Sequence, residues 1–294
     1  MIERVGFFFV FHFFRLLSFM PEFLIYRLSD FVFFLLYHVL RYRRSTVYRN
    51  LQNSFPDKSP QWLKGVQKKF YRNLADTALE SISLFNFKPK RMLSRFHFED
   101  EAQVSNLLSE GRSVFVAMGH SGNWETTVQV LALKFKVPVT AIYKKPSGKI
   151  ADQLMQQLRT GAGIVDVVES QSAYRRLASM DKAPRLIFIL NDQTPPGNPS
   201  DYWTSFLHQD TPFFTGLDKM ARALGHSVVF LNPRRQGRGF FQLRFSLITR
   251  DGRNCQSGEI SALYVRLLEE AIEQQPHNWL WSHRRWKHKR PINS

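Results

Sequence analysis

From Ser113 to Ile248 the chain alternates short apolar runs with helix-periodic segments, and few architectures accommodate that order. Such runs, bounded by turn residues, read as buried strands. They fall at Ser113–Ala117, Val139–Tyr143, Ile164–Val168, Leu186–Leu190 and Ser227–Asn232. Between them the spacing predicts helices over Trp124–Phe135, Lys149–Thr160, Gln171–Met180 and Leu217–Leu224. Phe240–Ile248 alternates as a later strand, and Gly258–Gln275 has the pattern of a C-terminal amphipathic helix. Strands alternating with helices imply an α/β fold, a mixed, mostly parallel sheet flanked by helices. Upstream, Ser59-Pro60 supplies the N-cap and first residue of a long helix. Its apolar face carries Leu63, Val66, Phe70, Leu74, Ala78, Ile82 and Phe85. In such sheets ligands bind beyond the carboxyl ends of the strands.

One strand end carries candidate chemistry. Ser113–Ala117 runs into Met118-Gly119-His120-Ser121-Gly122-Asn123-Trp124-Glu125, which delivers a histidine and, five positions later, a carboxylate. With an unperturbed pKa of about 6.5, a histidine is well placed to act as a base. A nearby carboxylate fixes its tautomer and stabilises the imidazolium. Five residues along an ideal helix turn through about 500°, which leaves the two about 140° apart. The pair therefore works only if His120 lies in the turn and Glu125 in the first helical turns, as Gly119 and Gly122 on either side of His120 suggest. The alternative is a solvated turn histidine.

The 294 residues are 44% hydrophobic, enough for one substantial core. A single cysteine, Cys255, excludes an intramolecular disulfide and fits a reducing compartment. Neither a zinc-spaced Cys/His cluster nor a glycine-rich phosphate loop is present. The net charge of +17 attracts polyanions: nucleic acid, anionic lipid or an acidic carrier protein.

The N-terminus chooses among these. Residues 1–40 hold eleven of the 27 phenylalanines and no lysine. Arg15, Glu22, Arg27 and Asp30 interrupt the run before it reaches the ~18 uncharged residues of a transmembrane helix. Arg4, His12, Arg15, Ser18 and Glu22 fall within an arc of about 120° on a helical wheel, as in a helix lying in the headgroup layer. A removable signal peptide is not expected, since no small-residue cleavage site follows. Arg41, Arg43, Arg44 and Arg49 then suit anionic cytoplasmic-leaflet lipid. Residues 1–45 are thus expected to be a membrane-anchoring segment, spanning or surface-lying, and 46–294 the α/β domain. No specific nucleic-acid binding is expected.

Other candidates are less distinctive alone. Asp192 directly follows the strand Leu186–Leu190, on the sheet edge that carries His120, as a site component or a turn cap. The stretch Gly197–Thr215 reads as a functional loop. Its Trp203, Phe206, Phe213 and Phe214 line an apolar channel or extend the core. Trp279-Leu-Trp281-Ser-His283-Arg284-Arg285-Trp286 reads as interfacial tryptophans with snorkelling arginines. Gly119-His120-Ser121-Gly122-Asn123 nearly matches a nucleophile elbow, in which Ser121 would act with a histidine such as His283, but Asn123 replaces the final glycine.

Gly119 to Glu125 resembles the H-x4-D/E block of the lysophospholipid acyltransferase superfamily, and Asn-Trp-Glu its lipid A biosynthesis (lauroyl/myristoyl) branch. The resemblance extends over nearly the whole chain through Arg44, Asn50-Leu51, Phe55-Pro56, Tyr143, Arg159, Asp192-Gln193 and Trp281 to Lys287. It implies a glycerolipid acyltransferase-like fold. It also implies acyl transfer from an acyl thioester, acyl carrier protein or coenzyme A, to a hydroxyl of a lipid A precursor at the cytoplasmic face of the inner membrane. No cofactor or metal is implied. His120 would be the general base and Glu125 its orienting carboxylate. Arg159 would hold the acceptor's phosphate or the developing oxyanion, Asp192 would shape the site, and Asn123, Trp124, Tyr143 and Arg284 would line the substrate. Departures at Tyr143-Lys144-Lys145-Pro146 and at Phe206 to Gly216 leave the acceptor open to another membrane lipid, an aminolipid or lysophospholipid. A serine lipase or esterase using Ser121 and a basic membrane-bound scaffold are the rival classes.

Overall fold

The computed structural model describes residues 2–146, 148–181, 183–195 and 202–290, with backbone alone at 2–4. Its N-terminal half begins with helices α1 (Ile2–Leu17), α2 (Glu22–Phe34), α3 (Arg44–Ser54), α4 (Pro60–Ile82) and α5 (Pro89–Leu93). Strand β1 (Phe96–Glu99), α6 (Ala102–Ser109), β2 (Val114–Met118), α7 (Trp124–Phe135) and β3 (Val139–Tyr143) follow. Then come α8 (Lys149–Thr160), β4 (Val165–Glu169), α9 (Ala173–Ser179) and β5 (Leu186–Leu190). The chain continues through β6 (Trp203–Phe206), β7 (Gln209–Pro212), α10 (Gly216–Leu224), β8 (Ser227–Gly237), β9 (Phe240–Thr249) and α11 (Glu259–Gln274).

Seven strands form one sheet in the order β1-β9-β8-β2-β5-β3-β4. From β8 to β4 all neighbours are parallel, whereas β9 is antiparallel to β8 and β1 parallel to β9. The sheet is therefore mixed and mostly parallel. Helices cover both faces: α4, α9, α10 and α11 on one, α6 and α7 on the other. β5 follows β2 and β3 in sequence yet lies between them, so the ends of β2 and β5 meet. The expected N-cap holds, since the Ser59 side chain accepts the Trp62 amide at the start of α4.

Part of the expected loop is structured. β6 and β7 form a hairpin whose turn places Leu207 and His208 at φ of 50° and 61°. Phe206 and Phe213 are wholly buried there, so they extend the core rather than line a channel. Residues 196–201 of that loop lie outside the described residues.

No single helix among the described residues is long and apolar enough to cross a membrane. α1 is apolar on two sides. One side packs on the domain, with Phe11 and Phe14 against Phe85 at ring-centre distances of 5.7 and 6.1 Å. The other bares Phe8, Phe9, Phe13 and Leu16, alongside the exposed His12 and Arg15, and the exposed apolar surface continues through Phe19, Phe23, Phe31 and Phe34.

α2 is fastened through charge. Arg238, in the β8–β9 turn, bonds Asp30 of α2 at 2.6 Å and buried Asp76 of α4 at 2.9 Å, and Ser29 also donates to Asp76. Nearby, Arg235 grips Glu80 at 2.8 Å, both side chains nearly fully buried, and Tyr26 of α2 also donates to Glu80. Arg235→Met strands the Glu80 carboxylate, and denaturant unfolding is expected to show a loss of about 3–5 kcal/mol. The double variant with Glu80→Gln is expected to recover part of that loss.

Candidate active site

The turn between β2 and α7 is built by close packing. A Cβ at Gly119 would lie 2.6 Å from Leu268 Cδ1 and 3.3 Å from Asp192 Oδ2, so any side chain there would displace Leu268 and crowd the carboxylate. Gly122 sits at φ +59°, a region that favours glycine. The C-terminal tail braces the turn. Ser121 pairs with Trp279 in an isolated β-bridge, and the Gly122 amide donates to the backbone and side-chain oxygens of Asn278.

Sheet register assembles the pair. Met118 on β2 is level with Leu190 on β5, so two residues farther along both strands His120 meets Asp192. Asp192 is 2% exposed and accepts three hydrogen bonds. They come from the His120 amide at 2.8 Å, His120 Nδ1 at 2.5 Å and the Trp279 indole at 2.7 Å. Burial alone would raise the Asp192 pKa, but the charge and hydrogen bonds of His120, with the Trp279 bond, hold it at about 2. An ionised Asp192 can only accept, so Nδ1–H of His120 donates to it and Nε2 keeps its lone pair toward the site. Gln193 Nε2 lies 3.2 Å from that nitrogen. A shallow pocket borders His120, lined by Phe70, Leu74, Trp124 and Leu280 among others.

The expected orienting carboxylate is a correction. Glu125 is bound by Arg159 through two bonds of 2.8 and 2.6 Å and accepts from the Trp124 indole at 3.2 Å. Among the described residues it makes no hydrogen bond to His120. Its place in the first turn of α7 aims it at α8, while the neighbouring strand β5 supplies the carboxylate to the histidine. Arg159 also lies over the Tyr143 ring at 5.7 Å, so Glu125, Arg159 and Tyr143 form one group beside the turn.

The other expected residues divide. Trp124 presents its ring to His120 edge-on at 5.3 Å. Asn123, expected along the substrate, is instead a buried helix cap. Its oxygen accepts from the Thr126 amide and Ser81, and its nitrogen donates to Glu80. Arg284 meets the segment after Asp192 through its backbone carbonyl, which accepts from Thr194 at 3.3 Å, while its side chain is exposed.

The tail is not an interfacial belt: Trp279, Trp281 and Arg285 are buried at 3%, 0% and 0% exposure. Arg285 donates to the Pro212 carbonyl and lies 4.4 Å over the Phe213 ring, and burial lowers its pKa to about 10. Trp279, read from the sequence as interfacial, instead donates to Asp192, and an indole bond to a carboxylate 87 positions away leaves no local signal. The Ser121–His283 hydrolase pair does not form. His283 Nε2 accepts the Thr194 amide at 3.2 Å, and burial lowers its pKa to about 4.

Comparison with known proteins agrees with the resemblance drawn from the motifs. The family model for bacterial lipid A biosynthesis acyltransferases matches residues 1–288. The lipid A biosynthesis lauroyltransferase of Escherichia coli (strain K12) is 22% identical over 274 residues, covering 91% of this chain and 87% of its own. The lipid A biosynthesis palmitoleoyltransferase of the same organism is 20% identical over 255 residues, covering 86% and 81%. A family match over nearly the whole length makes this chain an acyltransferase belonging to the bacterial lipid A biosynthesis acyltransferase family.

Proposed function

We propose that the enzyme transfers a fatty acyl chain from an acyl carrier protein thioester to a hydroxyl of a lipid A precursor, at the cytoplasmic face of the inner membrane. The observation that carries this reading is the bond from His120 Nδ1 to buried Asp192, which leaves Nε2 as a lone-pair base. His120 removes the hydroxyl proton as the oxygen attacks the thioester carbon, then returns it to the leaving thiolate. Asp192 holds the tautomer and stabilises the imidazolium. Glu125 acts through Arg159. It engages Nε and Nη2, and the Nη1 hydrogens remain for the acceptor's anionic group. Tyr143 supports Arg159 from below, and Trp124 walls the histidine.

The exposed aromatic surface of α1 and α2 supports docking on a membrane. Exposed Arg41, Arg43 and Arg49 follow it in the chain, suited to anionic headgroups. The +17 charge also favours an acidic carrier protein as donor.

In assays of acyl transfer, His120→Ala is expected to abolish activity while Ser121→Ala keeps most of it. Asp192→Asn preserves shape but donates where a carboxylate must accept, and is expected to lower kcat by about 10³–10⁴-fold. Its effect on stability depends on pH. The folded pKa of about 2 lies below the unfolded value of about 3.9, so the ionised carboxylate stabilises the fold above pH ~4 and loses that contribution as pH falls toward 2. The stability gap between wild type and Asp192→Asn is therefore expected to narrow over that interval in acid titrations. On anionic vesicles, Phe9→Ser with Phe13→Ser is expected to weaken binding at least about tenfold, since each phenylalanine contributes about 1.5–3 kcal/mol when fully buried. Sedimentation with the vesicles measures this.

A further inference from the structure

The nitrogen that must take the acceptor's proton already has a neighbour. Gln193 Nε2 lies 3.2 Å from His120 Nε2, the one hydrogen bond its side chain makes among the described residues. With Nδ1 donating to Asp192, Nε2 offers a lone pair, so the end of the carboxamide turned toward it is the donor end. The backbone on both sides of Gln193 is held. Asp192 is fixed by its three donors. Thr194 bonds the His283 ring through its amide and the Arg285 carbonyl through its hydroxyl. Gln193 therefore carries a half-buried donor on a fixed backbone, free to move only through its own torsions.

We infer that Gln193 is a catalytic residue whose carboxamide N–H stabilises the oxyanion formed on the thioester carbonyl. The inference rests on the acyl-transfer reading above. A hydroxyl in reach of the base lies about 2.6–3.2 Å from Nε2, and the thioester carbon about 3–3.5 Å from that hydroxyl oxygen. A donor 3.2 Å from Nε2 thus stands beside the space the carbonyl oxygen enters. The acceptor hydroxyl displaces it, since Nε2 has a single lone pair and the bound O–H takes the place of the Gln193 N–H there. The acceptor O–H bond breaks, the proton goes to Nε2, and the new C–O bond pushes the carbonyl π pair onto oxygen. The N–H released when the acceptor bound then meets the oxygen that has just become negative. As the tetrahedral intermediate collapses the pair returns, the C–S bond breaks, and the thiolate takes the proton from Nε2. Ester, thiol and neutral His120 result.

The test uses the full chain, an acyl carrier protein thioester and a lipid A precursor. Gln193→Met keeps length and removes the donor. It is expected to lower kcat by about 10²–10³-fold, with the acceptor KM within about threefold and the melting temperature unchanged. An unchanged or raised kcat in Gln193→Met overturns the inference, because Gln193 would then only cover the base. Should that variant fail to fold, Gln193→Glu, equal in size and lacking the donor, is expected to show the same loss, and full kcat in it overturns the inference equally. If the wild type transfers no acyl group, the acyl-transfer reading fails, and this inference with it.

Discussion

A carboxylate sealed away from water beside a histidine is the contact on which the rest of this molecule turns. An isolated buried carboxylate would protonate, so Asp192 needs its three donors in place at once. Each comes from a different constraint. The register of β2 against β5 brings the His120 ring, the absence of a side chain at Gly119 lets the His120 amide approach, and the C-terminal tail brings the Trp279 indole. Losing any one leaves a buried charge with one partner fewer, and the buried tail supplies one of the three.

The same logic of paired burial fastens the N-terminal helices. Asp76 and Glu80 stand one turn apart on α4 and face the arginines of the β8–β9 hairpin, while Asp30 and Tyr26 of α2 join them. Glu80 also receives the Asn123 amide, and Thr77, on the same helix, donates to the Gly122 carbonyl. The charged seam that holds α2 therefore ends on the turn that carries His120. The wall of the site and the seat of the N-terminal helices are one hydrogen-bonded unit.

Local periodicity made most of the sheet legible. Trp124–Phe135 and Lys149–Thr160 coincide with α7 and α8, and Val139–Tyr143 and Leu186–Leu190 with β3 and β5, because each segment carries its own apolar pattern. β1, α6 and the β6–β7 hairpin escaped notice. The two elements of four and eight residues are too short for a period to show, and the hairpin strands mix Thr, Ser, Asp and Gln with their aromatics. At the site, the histidine was legible and its partner was not. The H-x4-E spacing draws attention to Glu125, yet which carboxylate meets His120 depends on β5 crossing between β2 and β3, a fact of topology that no local pattern encodes. Asn123 misled for a related reason: the same residue type that contacts ligands is also the preferred helix cap.

Glu125 has a structural logic of its own. An acid in the first turn of a helix is favoured by the positive end of its dipole, and here it gives both oxygens to Arg159 near the far end of α8. α8 in turn packs against α1, where Gly6 leaves room for Ile150. The helix that bares phenylalanines on one side thus sets, on its other side, the helix from which Arg159 reaches the site. A chain with the same sheet and the same His120–Asp192 pair but no α1 would lose this part of the support for α8, leaving Arg159 to its contacts with Glu125 and Tyr143 and α8 to its packing on β4. The aromatic N-terminus and the charged site are therefore coupled through a single intervening helix, and the position of Arg159 depends on both.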